Sequence, residues 1–599
     1  MPPPEPIPRE VGSRLDSLER DVRDLHLALE RNILAVETLA AEVTQLRGWI
    51  ESTSQSTKEI AESRIWRTLT SIARLFVPAP APVRVKSAPA ADRVSAYDRW
   101  IADFESSDAV PDASRFTFRP RITVVGAHRD GASGLPACTT KSVEAQSYPD
   151  WELRDDGAGE YLAIVEPGAI LARDAFLCVV AALQDDPECD VFYTDEDRID
   201  ASGRRHDVFF KPDWSPDLLR SMNYVGSLLV VRGQTAAGAG LKLPVASTYE
   251  ALLALSATTA RIRRVARVLC HRGPETPQPD PDSDRRTLED HLRATCLGCF
   301  TEPDSSTGRW RVRYPAPPGA GVSIIVPSGG KVDLLAANLT KLDSVTEYRP
   351  YEIVVADNSL DDAVERFVRE WEGGARVRYM DWRKKAFNFA AVCNAGAAGC
   401  DTPFLLFLND DVSPVGPGWL QAMVELGARP EVGAVGARLL FPDGRIQHAG
   451  IALGLFGHSG HLFKGFDSRE EHACGLDRAI RDVSAVTGAC LLVRADVFRR
   501  AGGFDEDHYP VDFNDIDLCL RIRALGYRVL YTPYAELCHH ESTSRRLMHR
   551  IPSPAEVGRF RRTWAGPIAD DPFYNPNLTR AAIDYSPRQR GESGPVPGC

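Results

Sequence analysis

The stretch Phe404-Leu-Leu-Phe-Leu-Asn-Asp-Asp-Val412 constrains this chain most. Phe404 to Leu408 is an apolar run of the length of a buried strand, and it stops at once in Asn409, Asp410 and Asp411. In an open α/β sheet, ligands sit outside the carboxyl ends of the strands. Two carboxylates at such an end make a hard-oxygen site suited to Mg2+ or Mn2+, with a ligand's phosphates completing the shell. Taken alone, the same stretch also reads as a strand followed by a polar turn.

Its surroundings predict an α/β unit. Val322-Ser-Ile-Ile-Val326 reads as a strand stopped by Pro327. A helix is expected over 332–342, and Glu352-Ile-Val-Val-Ala356 is the next strand, ending in Asp357-Asn-Ser359. Strand, helix, strand argues a right-handed crossover in a parallel sheet. A further helix is expected over 388–398, just ahead of the acidic turn. Residues 97–272 also read as α/β, with Ile122-Thr-Val-Val125 and Asp190-Val-Phe-Tyr-Thr-Asp195 as candidate strands. The Pro-rich 273–320, with one helical piece near 286–297, reads as a connector.

A chain of 599 residues is too long for one core, which agrees with several units. The net charge of −12 argues against nucleic-acid binding, which needs a basic face. The thirteen cysteines are scattered, and Cys296-Leu-Gly-Cys299 is the one CxxC, without a second pair or a His cluster to complete a zinc site. Reduced thiols in a cytoplasm fit that pattern best. The start, Met-Pro-Pro-Pro-Glu, is no signal peptide, and no run of about 18 apolar residues could span a membrane.

After a disordered start at 1–10, residues 11–52 carry heptads. Leu15, Val22, Leu29, Val36, Val43 and Ile50 form one seam, and Leu18, Leu25, Asn32, Leu39 and Leu46 the other. Spacing of this kind predicts a coiled coil and a homo-oligomer, with Asn32 as a register-setting polar residue. A lone helix packed on its own protein is the competing reading. The amphipathic stretch 53–76 places Ile65, Leu69, Ile72 and Phe76 on one face among arginines. It suits peripheral contact with the inner face of a cell membrane as well as it suits packing on the protein body. A Pro/Ala linker fills 77–96.

From 321 to 580 the order of motifs resembles a family 2 glycosyltransferase of the GT-A fold. The matching pieces are Ser323-Ile-Ile-Val-Pro327, Glu352-Ile-Val-Val-Ala-Asp-Asn358, Phe387-Asn-Phe-Ala390 with Asn394, and Leu408-Asn-Asp-Asp411. Thr487-Gly-Ala-Cys-Leu-Leu492, Gly502-Gly-Phe-Asp-Glu506, Phe513-Asn-Asp-Ile-Asp517, Cys538-His-His-Glu-Ser542 and Asp571-Pro-Phe-Tyr-Asn-Pro-Asn-Leu-Thr579 follow in order. The set is most similar to bacterial enzymes that build O-antigen, rhamnan or other surface polysaccharides. The resemblance implies a catalytic GT-A domain at 321–545 with a C-terminal extension at 546–599. It also implies a nucleoside-diphosphate sugar donor and a glycan or lipid-linked acceptor.

By that resemblance Asp515 is the catalytic base. Asp411, assisted by Asp410, holds Mg2+ or Mn2+, and His539 or His540 supplies the last ligand. Pro327, Ser328, Asp357, Asn358, Asn388, Asn394, Asn409 and Asp410 line the nucleotide-sugar site, and Asn514 and Asp517 lie on the acceptor side. Asp517 also reads as negative charge complementing a helix N-terminus, and Asp357 as a turn residue. His448, His458 and His461 read as ordinary core or surface histidines. Ser328-Gly329-Gly330 replaces the larger side chains of the family and widens the donor pocket.

Residues 97–272 resemble the same family in a degenerate form, so the expected fold is two Rossmann-like GT-A domains in tandem behind the coiled coil. Tyr193-Thr-Asp-Glu-Asp197 and Phe210-Lys-Pro-Asp-Trp-Ser-Pro-Asp217 match relatives, but the acidic turn has become Val165-Glu-Pro-Gly168 and Thr248 stands where the base would lie. That unit is expected to keep the fold without the chemistry. The function expected of the whole is inverting, metal-dependent sugar transfer. The alternative is a non-catalytic scaffold or carbohydrate-binding assembly factor.

Overall fold

The computed structural model describes residues 90–592 apart from 106–109, 129–133, 155–156, 278–279, 305–308, 384, 541–551 and 553. The expected coiled coil, the amphipathic stretch and nearly all of the Pro/Ala linker lie outside the described residues. Helix α1 (Ala90–Phe104) crosses the expected linker boundary at 96/97.

The first half is an eight-stranded sheet. Its strands are β1 (Ile122–Gly126), β2 (Trp151–Leu153), β3 (Tyr161–Val165), β4 (Ala169–Leu171), β5 (Val191–Ile199), β6 (Arg205–Phe209), β7 (Leu228–Arg232) and β8 (Ile262–Arg272). They lie in the order β2-β1-β3-β7-β5-β8-β4, with β6 attached to β5. Helix α2 (Thr248–Ser256) joins β7 to β8. The expected connector is more structured than its prolines suggest: it holds helix α3 (Pro281–Thr295) and the hairpin β9 (Phe300–Asp304) and β10 (Arg309–Arg313). Pro281 sits in the first turn of α3, where its missing N–H is tolerated. In the turn after α3, Cys296 and Cys299 lie side by side with their Cα atoms 5.5 Å apart, while ten other described cysteines are free.

The second half is a ten-stranded sheet built from β11 (Val322–Ser328), β12 (Tyr351–Asp357), β13 (Arg376–Asp381), β14 (Phe404–Leu408), β15 (Val412–Pro414), β16 (Val432–Leu440) and β17 (Ile446–His448), followed by β20 (Arg481–Asp482), β21 (Cys490–Arg494) and β22 (Arg528–His539). The hairpin β18 (Ile451–Leu453) and β19 (Ser459–His461) stands apart from it. The order is β13-β12-β11-β14-β21-β16-β22-β15. Helices α4 (Val332–Val345), α5 (Ala363–Arg369), α6 (Phe389–Ala398), α7 (Asn514–Ala524) and α8 (Pro554–Thr563) accompany it. β14 is buried at every position, as an apolar run covered on both faces must be, and Phe407 packs between Phe498 and Phe504 at ring distances of 5.1 and 4.8 Å.

Strand for strand, the two sheets repeat one topology. β2-β1-β3-β7-β5-β8-β4 corresponds to β12-β11-β14-β21-β16-β22-β15, and each matching neighbour pair has the same parallel or antiparallel sense. The first half lacks the counterpart of α5, β13 and α6: residues 154–160 join β2 to β3, where 358–403 join β12 to β14. Pro327 does not stop its strand, since β11 continues to Ser328. Pairing with β14 ends at Ile325, and Ser328 faces β12 by accepting from the Asn358 N–H. Pro327 therefore faces the side where no ladder bond is due.

Charge and amide contacts join the halves. Asp217 is buried and accepts from Arg429 at 2.5 and 2.8 Å, from Arg528 at 2.5 Å and from the Tyr314 hydroxyl at 3.0 Å. Ser215 Oγ donates to Asp482 at 2.7 Å. The expected C-terminal extension crosses between the halves: Asn575 Nδ2 reaches Asp195 Oδ1 and Oδ2 at 3.0 and 2.9 Å, while Asp571 accepts from Ser484 Oγ at 2.5 Å.

Candidate functional site

The parallel strands β12, β11, β14, β16 and β22 present their carboxyl ends at one edge of the second sheet. There the chain leaves β14 through Asn409, Asp410 and Asp411. Asp411 is buried beside His539, whose Nε2 lies 3.3 Å from Asp411 Oδ1. The cause is register: β15 pairs antiparallel with β22, with Val412 opposite His539. His540 is exposed, and its N–H donates to the Asp411 carbonyl at 2.9 Å. Of the two histidines, His539 is thus the one whose ring faces the acids, and its Nδ1 has no hydrogen-bond partner among the described residues.

Burial and the neighbouring Asp411 carboxylate push Asp410 up to about 6, against hydrogen bonds from Ser328 and the Gly329 N–H. Among the described residues no three His, Cys, Asp or Glu side chains are grouped to hold a metal ion. The donor set still fits one: two adjacent carboxylates repelling each other, and an imidazole on one of them, leave a divalent cation to be completed by phosphate and water oxygens. Asn409 Oδ1 is buried without a partner, while its carbonyl accepts from Asn338 of α4 at 3.3 Å.

The strand ends beside this turn are tightly organised. Asp357 is fully buried; Oδ1 accepts the Ser359 N–H at 2.8 Å and Oδ2 the Tyr379 hydroxyl at 2.9 Å. Its carboxylate closes a turn. Asn358 Nδ2 donates to the Trp382 carbonyl at 3.2 Å. Ser328 is buried and Pro327 partly exposed at the end of β11.

Asp515 lies in the first turn of α7 and meets Gly488, two residues before the Cys490 that pairs with Leu408 at the end of β14. Its Oδ2 accepts the Gly488 N–H at 2.7 Å and its Oδ1 the Ile516 N–H at 2.9 Å. A β-carbon at Gly488 would lie 3.3 Å from Asp515 Cβ, so the backbone approaches the carboxylate closely. The two residues expected on the acceptor side face inward instead. Asn514 is buried and donates to the Val511 carbonyl at 2.7 Å. Asp517 is buried, paired with Arg521 at 2.7 Å and accepting the Trp564 indole N–H at 3.0 Å, and burial raises it above the usual carboxylate range.

Asn388 and Asn394, expected to bind the nucleotide sugar, hold the Gly503–Glu506 turn. Asn388 caps α6, accepting the Ala391 N–H and donating to the Glu506 carbonyl, both at 2.9 Å. Asn394 accepts the Phe504 N–H and donates to the Phe504 carbonyl, again at 2.9 Å. Oxygen and nitrogen of both amides are thus engaged within the protein. His448 is fully buried and kept neutral by burial and by His461; its Nε2 accepts the Gly450 N–H, so Nδ1 carries the proton toward His461 Nδ1 at 3.2 Å.

Register carries these positions onto the first half. With Val165 opposite Leu228 and Leu408 opposite Cys490, Asn409, Asp410 and Asp411 correspond to Glu166, Pro167 and Gly168. With Ala169 opposite Arg272 and Val412 opposite His539, the histidine corresponds to Arg272. The space is filled as well. A β-carbon on Gly168 would lie 2.5 Å from the backbone of Glu275 and Thr276, and Glu166 Oε1 accepts the Thr248 N–H and hydroxyl at 2.6 and 2.9 Å. The arginine substitution went unseen in the sequence, because only strand pairing reveals which residue of β8 meets the turn.

A model of the family "Glycosyltransferase like family 2" matches residues 317–553. The O-antigen biosynthesis protein RfbC of Myxococcus xanthus is 34% identical over 563 residues, 83% of this chain and 44% of its own length. The N-acetylglucosaminyl-diphospho-decaprenol L-rhamnosyltransferase of Mycobacterium tuberculosis is 32% identical over 223 residues, 34% of this chain and 71% of that protein. The chain spans about half the length of the longer curated relatives it matches. Among solved structures, a mannosyltransferase of Pyrobaculum calidifontis with GDP-Man and Mn2+ aligns at 17% identity and a TM-score of 0.30, over 40% of this chain and 68% of that one.

Proposed function

The chain belongs to glycosyltransferase family 2, and from that premise we propose that residues 321–580 transfer a sugar from a nucleoside-diphosphate donor, with inversion, to a growing bacterial surface polysaccharide or lipid-linked glycan. One observation supports this reading: His539 Nε2 lies 3.3 Å from Asp411 Oδ1 in the turn that also carries Asp410, while the corresponding positions of the first half read Pro167, Gly168 and Arg272. Asp411 and His539, assisted by Asp410, would hold Mg2+ or Mn2+. When bound, that ion neutralises charge on the leaving nucleoside diphosphate. Ser328 and the backbone at Gly329 orient Asp410. Asp515, aimed by two backbone N–H groups, accepts the proton of the acceptor hydroxyl. Attack by that hydroxyl on the side opposite the leaving group inverts the sugar carbon. The names of the two relatives support the polysaccharide and lipid-linked acceptor classes.

We assign the first half a supporting role without its own chemistry, since its cleft is occupied by Glu166–Thr248 and by the backbone at 275–276. The test is turnover of UDP-, GDP- and dTDP-sugars by the full chain, with Mn2+ or with chelator. One donor is turned over, and turnover is lost with chelator and in Asp411→Ala. Asp515→Asn abolishes transfer while leaving nucleoside-diphosphate binding in place. Turnover unaffected by Asp411→Ala refutes the metal assignment. Folded protein that neither binds nor turns over any donor refutes the enzyme reading in favour of the scaffold. Nucleotide binding that survives Asp411→Ala and maps to the first half refutes its supporting role.

A further inference from the structure

α8 has a single fully buried residue, Phe560. Its ring stacks on Phe513 with centroids 4.5 Å apart and planes at 13°, and the edge of Tyr509 meets it at 6.2 Å. Phe513 is the residue before α7, two positions ahead of Asp515, and its backbone is left-handed with φ 63° and ψ 0°. Side chains with a β-carbon avoid that region, so such a conformation persists where surrounding contacts over-determine it. Here the contacts are the Phe560 stack on one face and His458, edge-on at 5.7 Å. The Phe513 carbonyl accepts the Asp517 N–H at 2.8 Å, so its conformation sets where the first turn of α7 begins.

A second contact comes from the residue just past α8. Trp564 Nε1 donates to Asp517 Oδ1 at 3.0 Å, on the same turn as Asp515. α8 is itself tied down, since Arg561 Nε donates to the Gly457 carbonyl at 2.8 Å, beside the β18–β19 hairpin. The turn that carries Asp515 is thus held at three points: by the Gly488 N–H on Asp515 itself, by Phe560 on Phe513 and by Trp564 on Asp517. The contacts of Phe560 and Trp564 described above fall on Phe513, Tyr509 and Asp517.

We propose that α8 and Trp564 form a brace for the base-bearing loop, with Phe560 and Trp564 as positioning residues for Asp515. The inference rests on Asp515 being the base. Because the brace acts on the base and not on the metal and diphosphate side, its loss lowers kcat and leaves donor binding alone. Displacing a reacting group by about 1 Å costs on the order of 100-fold in rate.

The test uses the full chain with Phe560→Ala, Phe560→Tyr and Trp564→Phe, read by amide hydrogen exchange and by transfer kinetics. Phe560→Ala raises exchange at 511–518 by about tenfold or more while 404–412 and 537–539 keep wild-type protection. It lowers kcat by about 10- to 100-fold at unchanged donor KM, and Phe560→Tyr, which keeps the stack, restores most of both. Trp564→Phe, which removes the indole N–H together with part of the ring, gives a smaller effect of the same sign. Unchanged exchange at 511–518 in Phe560→Ala overturns the brace, and so does a kcat loss matched by an equal rise in donor KM. Wild-type protein without transfer activity counts against the proposed function, and the exchange pattern then decides the brace by itself.

Discussion

Asp217→Asn tests what the first half contributes, because it removes one charge and almost no volume. Asp217 is buried between Arg429, whose side chain is 10% exposed, and Arg528, at 19%. Burial alone would raise its carboxyl, but the two guanidiniums outweigh that and hold it well below the usual carboxylate range. Removing one member of a buried ion pair typically costs about 3–5 kcal/mol, because the partner charge is left buried and uncompensated. The arginines are not wholly abandoned here: Arg528 keeps Asp482 at 2.6 and 2.8 Å, and Arg429 keeps Glu431 at 2.9 and 3.0 Å. The expected loss is therefore at the lower end, about 3 kcal/mol.

Urea unfolding followed by tryptophan fluorescence measures the loss, and its pH dependence checks the cause. A carboxyl depressed in the folded state contributes stability that is fully present above its unfolded value of about 3.9 and is lost as pH falls toward its folded value. The gap between wild type and Asp217→Asn should hold from neutral pH down to about 4 and narrow below it. A gap under about 1 kcal/mol at neutral pH, the size of an exposed pair, would refute the account of a buried junction. A gap that widens on acidification would refute the sign.

The remaining predictions separate neighbouring residues. His539→Ala should weaken Mn2+ binding by about 10-fold or more, measured by calorimetry with nucleoside diphosphate present, while His540→Ala leaves it unchanged. Equal effects would mean that ring orientation does not select the ligand. Asn575→Ala removes the amide that donates to both oxygens of buried Asp195 and to the Lys211 carbonyl at 2.9 Å, and should cost about 1–3 kcal/mol in urea unfolding. Burial raises Asp195, so its charged form is the costly one, and the loss should shrink as pH falls toward about 4 and Asp195 protonates. A loss that grows on acidification would show that the amide stabilises the protonated form instead.

The strands and the acidic turn were legible because they depend on local pattern: an apolar run such as Phe404–Leu408 cannot be solvated, and the carboxylates after it must stand at its end. The N-terminal position of Asp515 on a helix follows equally from the residues beside it. What was not legible depends on partners far along the chain. Asn394 reads as a candidate ligand until its amide is seen closing on Phe504, more than 100 positions away. Asp517 reads as helix-dipole charge until Trp564 is found on it. The first half's Phe210-Lys-Pro-Asp-Trp-Ser-Pro-Asp217 and the C-terminal Asp571–Thr579 segment matched relatives without an assigned role. In the structure Asp217 and Ser215 reach across to the second half, and Asn575 reaches back to Asp195 and Lys211. The connector's hairpin was hidden by a proline-rich composition, since Pro303 sits within the strand β9 itself.

The two halves differ in the residues at these strand ends, and the shared topology makes the difference simple to locate. A strand end is an open place: backbone N–H and C=O groups run out there, and whatever follows either faces a ligand or fills the gap. In the second half the residues after β14 are charged acids, and the long 358–403 excursion builds a wall beside them. In the first half the excursion shrinks to 154–160, Pro167 and Gly168 remove the carboxylates, and Arg272 brings a fixed positive charge to the position of His539. Glu166 then turns to the N-terminus of α2 and bonds Thr248, the position matching the base. A carboxylate satisfied by a helix N-terminus and a hydroxyl stabilises the closed cleft. Restoring single acids at 167 or 168 therefore should not restore a site, because a side chain at 168 meets the backbone at 275–276 and Glu166 is already engaged by Thr248. What the first half retains is the face that meets the second, and the residues kept there are those whose loss leaves buried charge unpaired.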